Sequence, residues 1–275
     1  MATARIYARE LMAMIREMAR EFHDALAVYR EKRDQITVDD ITGTWLTTDV
    51  EKRLKKLGDR WAERFKEYAE GKSPAMVKRI LRQTDLQLKT TLKDWFSEER
   101  MTLISESVPT ALKQSMKAHI AENVSLIRSI PAQYLERVQG AVTRAITGGV
   151  SYRQLVTEVA RYQKMGLRRA ELLAQDQVRK ISTTLTVRRC EQVGIKRFMW
   201  VHSNAGKEPR PYHIRRWDGS SGKNNGHPNG LNGFLFDLAH PPVIQEAHGT
   251  QPEIRGYPAQ LPYCRCQMVP VIDVE

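Results

Sequence analysis

Gly194-Ile195-Lys196-Arg197-Phe198-Met199-Trp200-Val201-His202 is where this chain changes its period. Upstream, apolar residues recur every three or four positions. From Lys196 they alternate, with Phe198, Trp200 and His202 on one face and Met199 and Val201 on the other. Period 3.6 belongs to a helix and period two to a strand, so long helices are expected to give way here to a small sheet. The fold class that follows is α+β: a mainly α-helical N-terminal body and a smaller α+β, loop-rich C-terminal module. The expected division is a partner-binding helical body over 1–150 and the module over 151–275.

Working upstream, residues 167–192 place Leu167, Ala170, Ala174, Val178, Ile181 and Leu185 within about 80° of arc at 100° per residue. Arg168, Arg169, Arg179 and Lys180 cluster opposite them, while Arg188 and Arg189 fall towards the apolar side. Gly166 is expected to separate this helix from one that starts at Ser151, whose capping box uses Gln154. Ser129 and Pro131 are expected to open another helix, ended by a hinge at Gly148-Gly149. A further helix over 110–128 follows the interruption at Pro109. Earlier, Ile6, Leu11, Ile15, Met18, Phe22, Leu26 and Tyr29 predict a helix over 3–34. Leu54, Leu57, Trp61, Phe65 and Tyr68 predict a second over 49–70, closed by Gly71. Ser73-Pro74 would then cap and start a third, carrying Ile80, Leu81, Leu88, Leu92, Trp95 and Phe96 to Ser107.

Downstream, 203–230 is rich in Gly, Ser and Asn and reads as loop. A short strand or hairpin arm is expected in 231–238, irregular chain from His240 to Pro262, and a final strand over 266–272.

Lys and Arg number 44 against 32 Asp and Glu, a formal charge of +12. Residues 161–218 hold fourteen Lys/Arg and five Asp/Glu, so nine of the twelve excess charges lie there. Such crowding fits a polyanion better than an ordinary solvated face. The candidate phosphate contacts are Arg168, Arg169, Arg179, Lys180, Arg188, Arg189, Lys196 and Arg197. Three cysteines (Cys190, Cys264, Cys266) are too few and too odd for a disulfide scaffold, which points to a reducing compartment. Arg5, Arg9, Glu10, Arg16 and Glu17 interrupt any signal-like apolar run, and no window is apolar enough for a membrane span. A soluble protein made in a cytoplasm is expected.

Five of the seven histidines (His202, His213, His227, His240, His248) lie from residue 202 onward, with Cys264 and Cys266. A loop-rich unit with little core gains most from a staple, and His213, His240, Cys264 and Cys266 could hold a structural zinc. Against this, Cys-Arg-Cys on a strand strains the ligand angle, and the plain alternative is buried cysteines with surface histidines. His202, Glu208, His213 and Asp218 lie within seventeen residues, enough for a metal-dependent nuclease or toxin-like enzyme. No nucleophile elbow, P-loop or carboxylate pair supports that alternative, so the chain is expected not to be an enzyme.

The order Glu122-Asn123-Val124-Ser125-Leu126-Ile127-Arg128-Ser129-Ile130-Pro131, Arg169-Ala170-Glu171-Leu172-Leu173-Ala174-Gln175-Asp176-Gln177, Gly194-Ile195…Trp200, Arg210-Pro211-Tyr212-His213, Asp218-Gly219 and Cys264-Arg265-Cys266…Pro270-Val271 resembles the phage minor head morphogenesis proteins, typified by head protein F of phage Mu. The resemblance covers roughly 120–272. Its motif positions are Trp200, Arg210, His213, Asp218, Gly219, Cys264 and Cys266. Where that family tends to carry an aspartate after the Trp, this chain has His202-Ser203-Asn204-Ala205-Gly206-Lys207-Glu208, with Glu208 as the available acid. The resemblance implies a virion protein of the head interior that associates with the portal in the procapsid. It further implies non-specific contact with packaged double-stranded DNA, a role in packaging or ejection, scaffold or major capsid protein as further partners, and no membrane. The N-terminal hundred residues carry no such resemblance.

Overall fold

The computed structural model describes residues 2–33, 44–92, 108–147, 152–204, 209–217, 219, 226–248 and 250–272. Among the described residues, four long helices come first: α1 (Ala2–Arg33), α2 (Thr44–Leu92), α3 (Thr110–Thr147) and α4 (Tyr152–Gln192). Five short strands follow: β1 (Arg197–Val201), β2 (Leu235–Asp237), β3 (Val243–Gln245), β4 (Ile254–Arg255) and β5 (Gln267–Val271). A 3-10 turn, Pro211–His213, lies between β1 and β2. The α+β reading holds, with helices first and a small antiparallel, loop-rich part after them.

Three expected helix breaks are absent. α2 runs through Gly71, Ser73 and Pro74; α3 runs through Ser129 and Pro131; α4 runs through Gly166. Each correction has a physical cause. Ser73 does not cap a new helix, because its hydroxyl is fully buried and accepts a 2.7 Å hydrogen bond from Asn123 Nδ2. Ser129 does not cap either: its hydroxyl bonds back to the Leu126 carbonyl at 2.7 Å, inside the helix. Proline costs a helix interior about 3 kcal/mol and glycine about 1, and burial on both sides offsets that. Val77 and Ile80 beyond Pro74 are buried, as are Ile127, Ile130 and Tyr134 around Pro131. Around Gly166, the buried Leu155, Val159, Ala170 and Leu173 hold α4 continuous. The expected end of the third helix at Ser107 and the Gly148-Gly149 hinge lie outside the described residues.

Contacts divide the chain into two compact units that interleave along the sequence. The first comprises Met1–Met76 and Ile120–Ala174. Its core is the predicted α1 stripe (Leu11, Ile15, Met18, Phe22, Leu26) packed with Leu54, Trp61 and Phe65 of α2, Val138 of α3 and Leu155 of α4. Phe22 meets Tyr134 edge to face at 5.3 Å. A buried polar relay crosses this core. Tyr7 Oη donates to Asn123 Oδ1 (3.0 Å), and Asn123 Nδ2 donates to Ser73, so α1, α2 and α3 share one satisfied network. At its rim Arg64 pairs with Glu17 (3.0 Å) and stacks over Trp61 at 4.1 Å.

The second unit comprises Val77–His119 and Gln175–Glu275. β2, β1 and β5 form an antiparallel sheet in that order, with Met199 opposite Leu235 and Val269. β3 and β4 make a second, two-stranded antiparallel pair inside the stretch expected to be irregular. Phe198 and Trp200 are fully buried, as the alternation required. They join Leu88 and Leu92 of α2, Val187 and Cys190 of α4, and Leu231, Leu238, Ile244 and Leu261 in one cluster.

The step from α4 to β1 is a Schellman turn. Gly194 N–H donates to Glu191 O (3.3 Å), and Ile195 N–H reaches back to Cys190 O (2.9 Å). Gly194 takes φ +80°, which an L side chain resists, and Ile195 and Cys190 meet in the core cluster as the motif prescribes. One turn earlier, Arg189 is 1% exposed and clamps Asp85 of α2 through Nε–Oδ1 (2.8 Å) and Nη2–Oδ2 (3.0 Å). Its Nη1 donates to Gln192 at 2.8 Å.

Two stability outcomes follow. Arg189→Met leaves the Asp85 carboxylate without its counter-charge and should cost about 3–5 kcal/mol in urea unfolding, against near-neutrality for Arg168→Met. Gly194→Ala should cost about 1–2 kcal/mol, purely conformational because nothing lies within 4 Å of the added Cβ, and Gly194→Asn should cost less.

Candidate functional site

Four side chains from three separate stretches converge in the second unit. His213 closes the 3-10 turn that Pro211 starts, and its N–H donates to Arg210 O at 3.0 Å. Cys264 and Cys266 precede β5 rather than lying within it. A turn held by Cys264 N–H to Leu261 O (3.1 Å) delivers Cys264. Because both cysteines lie ahead of the ladder, the angular strain expected of a Cys-Arg-Cys strand does not arise. His202 follows β1, its N–H donating to Asn232 Oδ1 at 2.8 Å.

The turn into Cys264 holds two non-glycine residues in the left-handed region, Ala259 (φ +64°) and Tyr263 (φ +60°). Each costs on the order of 1–3 kcal/mol, and such positions persist only where the surroundings hold them. Here Tyr263 N–H donates to Asp176 Oδ1 of α4 at 2.6 Å, and Ala259 N–H points at Cys264 Sγ at 3.4 Å. Arg210 Nη2 adds a bond to Pro262 O at 2.8 Å.

The sulfurs face one imidazole nitrogen. His213 Nδ1 lies 3.3 Å from Cys264 Sγ and 3.6 Å from Cys266 Sγ. Among the described residues, His213, Cys264 and Cys266 form a buried group whose ligand atoms all lie within 4.8 Å of one another. The other nitrogen, Nε2, donates to the Ile244 carbonyl at 3.3 Å, which leaves the Nδ1 lone pair turned to the sulfurs. Trp200 packs edge-on against the His213 ring at 5.0 Å. His202 Nδ1 stands 3.4 Å from Cys266 Sγ.

The electrostatics match this crowding. The hydrogen bond from the Cys266 thiol, the largest influence, pulls the Cys264 thiol well below its ordinary value against the effect of burial. Cys266, which supplies that bond in a buried place, is pushed up. Burial and then the neighbouring His213 lower His202, favouring its neutral form. Burial, with Arg265 beside it, also lowers Arg179, which stands close to Cys264 and Asp176.

Of the four residues expected to hold zinc, three meet. His240 does not join them; it is 84% exposed and sits 3.7 Å from Asp237. His202, which the spacing argument had placed only in a catalytic set, occupies that neighbourhood instead. Its signal was its position on the Phe198–Trp200 face of the strand. Glu208 and Asp218 of the nuclease alternative lie outside the described residues, and both nitrogens of His213 are engaged within the protein. Of the remaining motif positions, Gly219 is exposed, while Trp200 and Arg210 support the cluster.

The candidate phosphate contacts divide. Arg189 is buried against Asp85 and cannot reach a ligand, which corrects its assignment. Arg169 is held by Gln133 and by Ser129 (3.0 Å), and Arg188 pairs with Glu191 at 2.9 Å. Arg179 and Lys180 are half-buried, whereas Arg168, Lys196 and Arg197 are exposed.

Residues 136–269, which contain the whole cluster, match a known family. It is the phage Mu protein F like protein family. The resemblance read from the motifs is thereby borne out over this segment. A Haemophilus influenzae protein described as uncharacterized is 26% identical over 268 residues, 97% of this chain and 53% of that protein. The chain thus spans about half the length of this relative. No solved structure matches the chain.

Proposed function

We propose that this chain is a minor head protein of a tailed bacteriophage, acting in head morphogenesis. The match to the phage Mu protein F like family over 136–269 carries this reading. The physical properties agree with it. The chain is basic, no helix among the described residues is long and apolar enough to cross a membrane, and the motif histidine is turned inwards. The finer reading is that it joins the portal in the procapsid, through the helical residues 1–150, and touches packaged DNA through phosphates. Scaffold and major capsid protein are further candidate partners, and the head interior is the expected location.

The DNA part rests on the exposed cations Arg168, Lys196 and Arg197. Phosphate contacts carry no sequence information, so binding is non-specific and salt-dependent.

Co-expression with the portal protein of the same genome, followed by size exclusion and native mass spectrometry, tests the partner. A stable complex of defined ratio is the expected result; folded protein that never co-elutes with portal removes portal association. For DNA, fluorescence anisotropy on two unrelated duplexes should give equal affinities that fall steeply with salt. Lys196→Ala with Arg197→Ala should reduce the log–log salt slope by roughly 2. An affinity unchanged between low and physiological salt would eliminate the phosphate contacts.

A further inference from the structure

We propose that His202, His213, Cys264 and Cys266 form a structural zinc site. His213 and the two sulfurs are already spaced like ligands of one ion, with His202 beside them. Tetrahedral zinc, with Zn–S of about 2.3 Å and Zn–N of 2.0–2.1 Å, sets its nitrogen and sulfur ligands about 3.5 Å apart. His213 Nδ1 stands 3.3 and 3.6 Å from the two sulfurs, and His202 Nδ1 stands 3.4 Å from Cys266 Sγ; His202 lies outside the group of three that is mutually within 4.8 Å, so its ring closes in to complete the tetrahedron. Ordinary thiol–imidazole hydrogen bonds reach the same lengths, and the surroundings distinguish the two.

Three features of the surroundings favour an ion. His213 is locked by the Ile244 carbonyl in the tautomer that presents Nδ1 as a ligand, the arrangement that orients metal-bound histidines. The buried Trp200 Nε1–H, on the ring that packs against His213, has no hydrogen-bond partner; a metal-bound thiolate is the kind of acceptor it lacks. The strained turn at Ala259 and Tyr263 aims Cys264 and brings the Ala259 N–H to its sulfur, a second donor for a thiolate.

Charge selects the ion. Coordination expels the two thiol protons to solvent and leaves two thiolates, two neutral imidazoles and a divalent cation, a centre of zero net charge that can stay buried. Two sulfurs and two nitrogens in a tetrahedron suit zinc, and a site filled by four protein ligands is structural rather than catalytic. Its benefit is local. The ligands come from the end of β1, the 3-10 turn and the approach to β5, so one ion would pin three loop-bearing stretches of a unit whose strands are two to five residues long.

The test needs neither portal nor DNA, so its outcome is separate from that of the head-protein reading. The full chain, purified without chelator, should contain about one equivalent of zinc by elemental analysis. Replacement by cobalt should give the intense visible bands of a tetrahedral site and a near-ultraviolet thiolate-to-metal band. Cys264→Ser should lose the metal, whereas His240→Ala should retain it in full. If Cys264→Ser does not fold, the intact protein still decides: a strong chelator should lower its Tm, and zinc should restore it. His202→Ala should leave a three-ligand site that binds cobalt more weakly with an altered spectrum. Zinc below about a tenth of an equivalent, with no cobalt spectrum on reconstitution, overturns the proposal. An unchanged His202→Ala spectrum, or metal loss in His240→Ala, overturns the ligand set.

Discussion

A guanidinium that is 1% exposed dictates the arrangement of the second unit. Removing Arg189 from water is tolerable only because Asp85 meets it with two parallel hydrogen bonds, and Gln192 takes a further donor. That geometry fixes the last turn of α4 against α2. Val187 and Cys190 are then set beside Leu88 and Leu92, making the apolar floor on which Phe198 and Trp200 of β1 rest. The Schellman turn at Gly194 follows immediately, so the direction of β1 is set by a helix end that is itself pinned. β2 and β5 pair on either side of that strand.

A buried charge pair of this kind contributes more to register than to net stability, since desolvation offsets much of the attraction. Here it stands beside an apolar cluster whose contacts are non-directional, whereas the two-point pair with Asp85 is directional. The Tyr7–Asn123–Ser73 relay has the same role within the first unit, where Leu, Ile and Phe contacts alone would allow helices to slide.

Periodicity was enough to read the helical faces, the strand at Phe198–Trp200, the final strand and the α+β class. Punctuation was not. Ser73-Pro74 and Ser129…Pro131 are good local start signals, and in isolated peptides they would compete well. In this protein their hydroxyls find other partners, and buried residues on both sides hold the helices continuous. Local propensity is worth a few kcal/mol at most, and tertiary burial exceeds it. β3 and β4 were missed because strands of two or three residues carry too little alternation to register. The arginines opposite the α4 stripe were legible as a face, but Arg189 could not be told from them: one missing clue was Asp85, a hundred residues away.

At the cluster the sequence named three of the converging residues and misplaced the fourth. Cys264, Cys266 and His213 were recognisable as ligand types in a loop-rich unit. Spacing along the chain does not separate His240 from His202, because it does not say which histidine a sheet turns inwards. The strand pattern held the better clue. A residue two places beyond Trp200 inherits the face of Trp200, and that face is the one His213 and both sulfurs share. Three otherwise separate stretches therefore meet at the edge of a single buried indole. Any role for the motif as a unit, in a head or elsewhere, requires that this indole and the residues gathered round it stay in place.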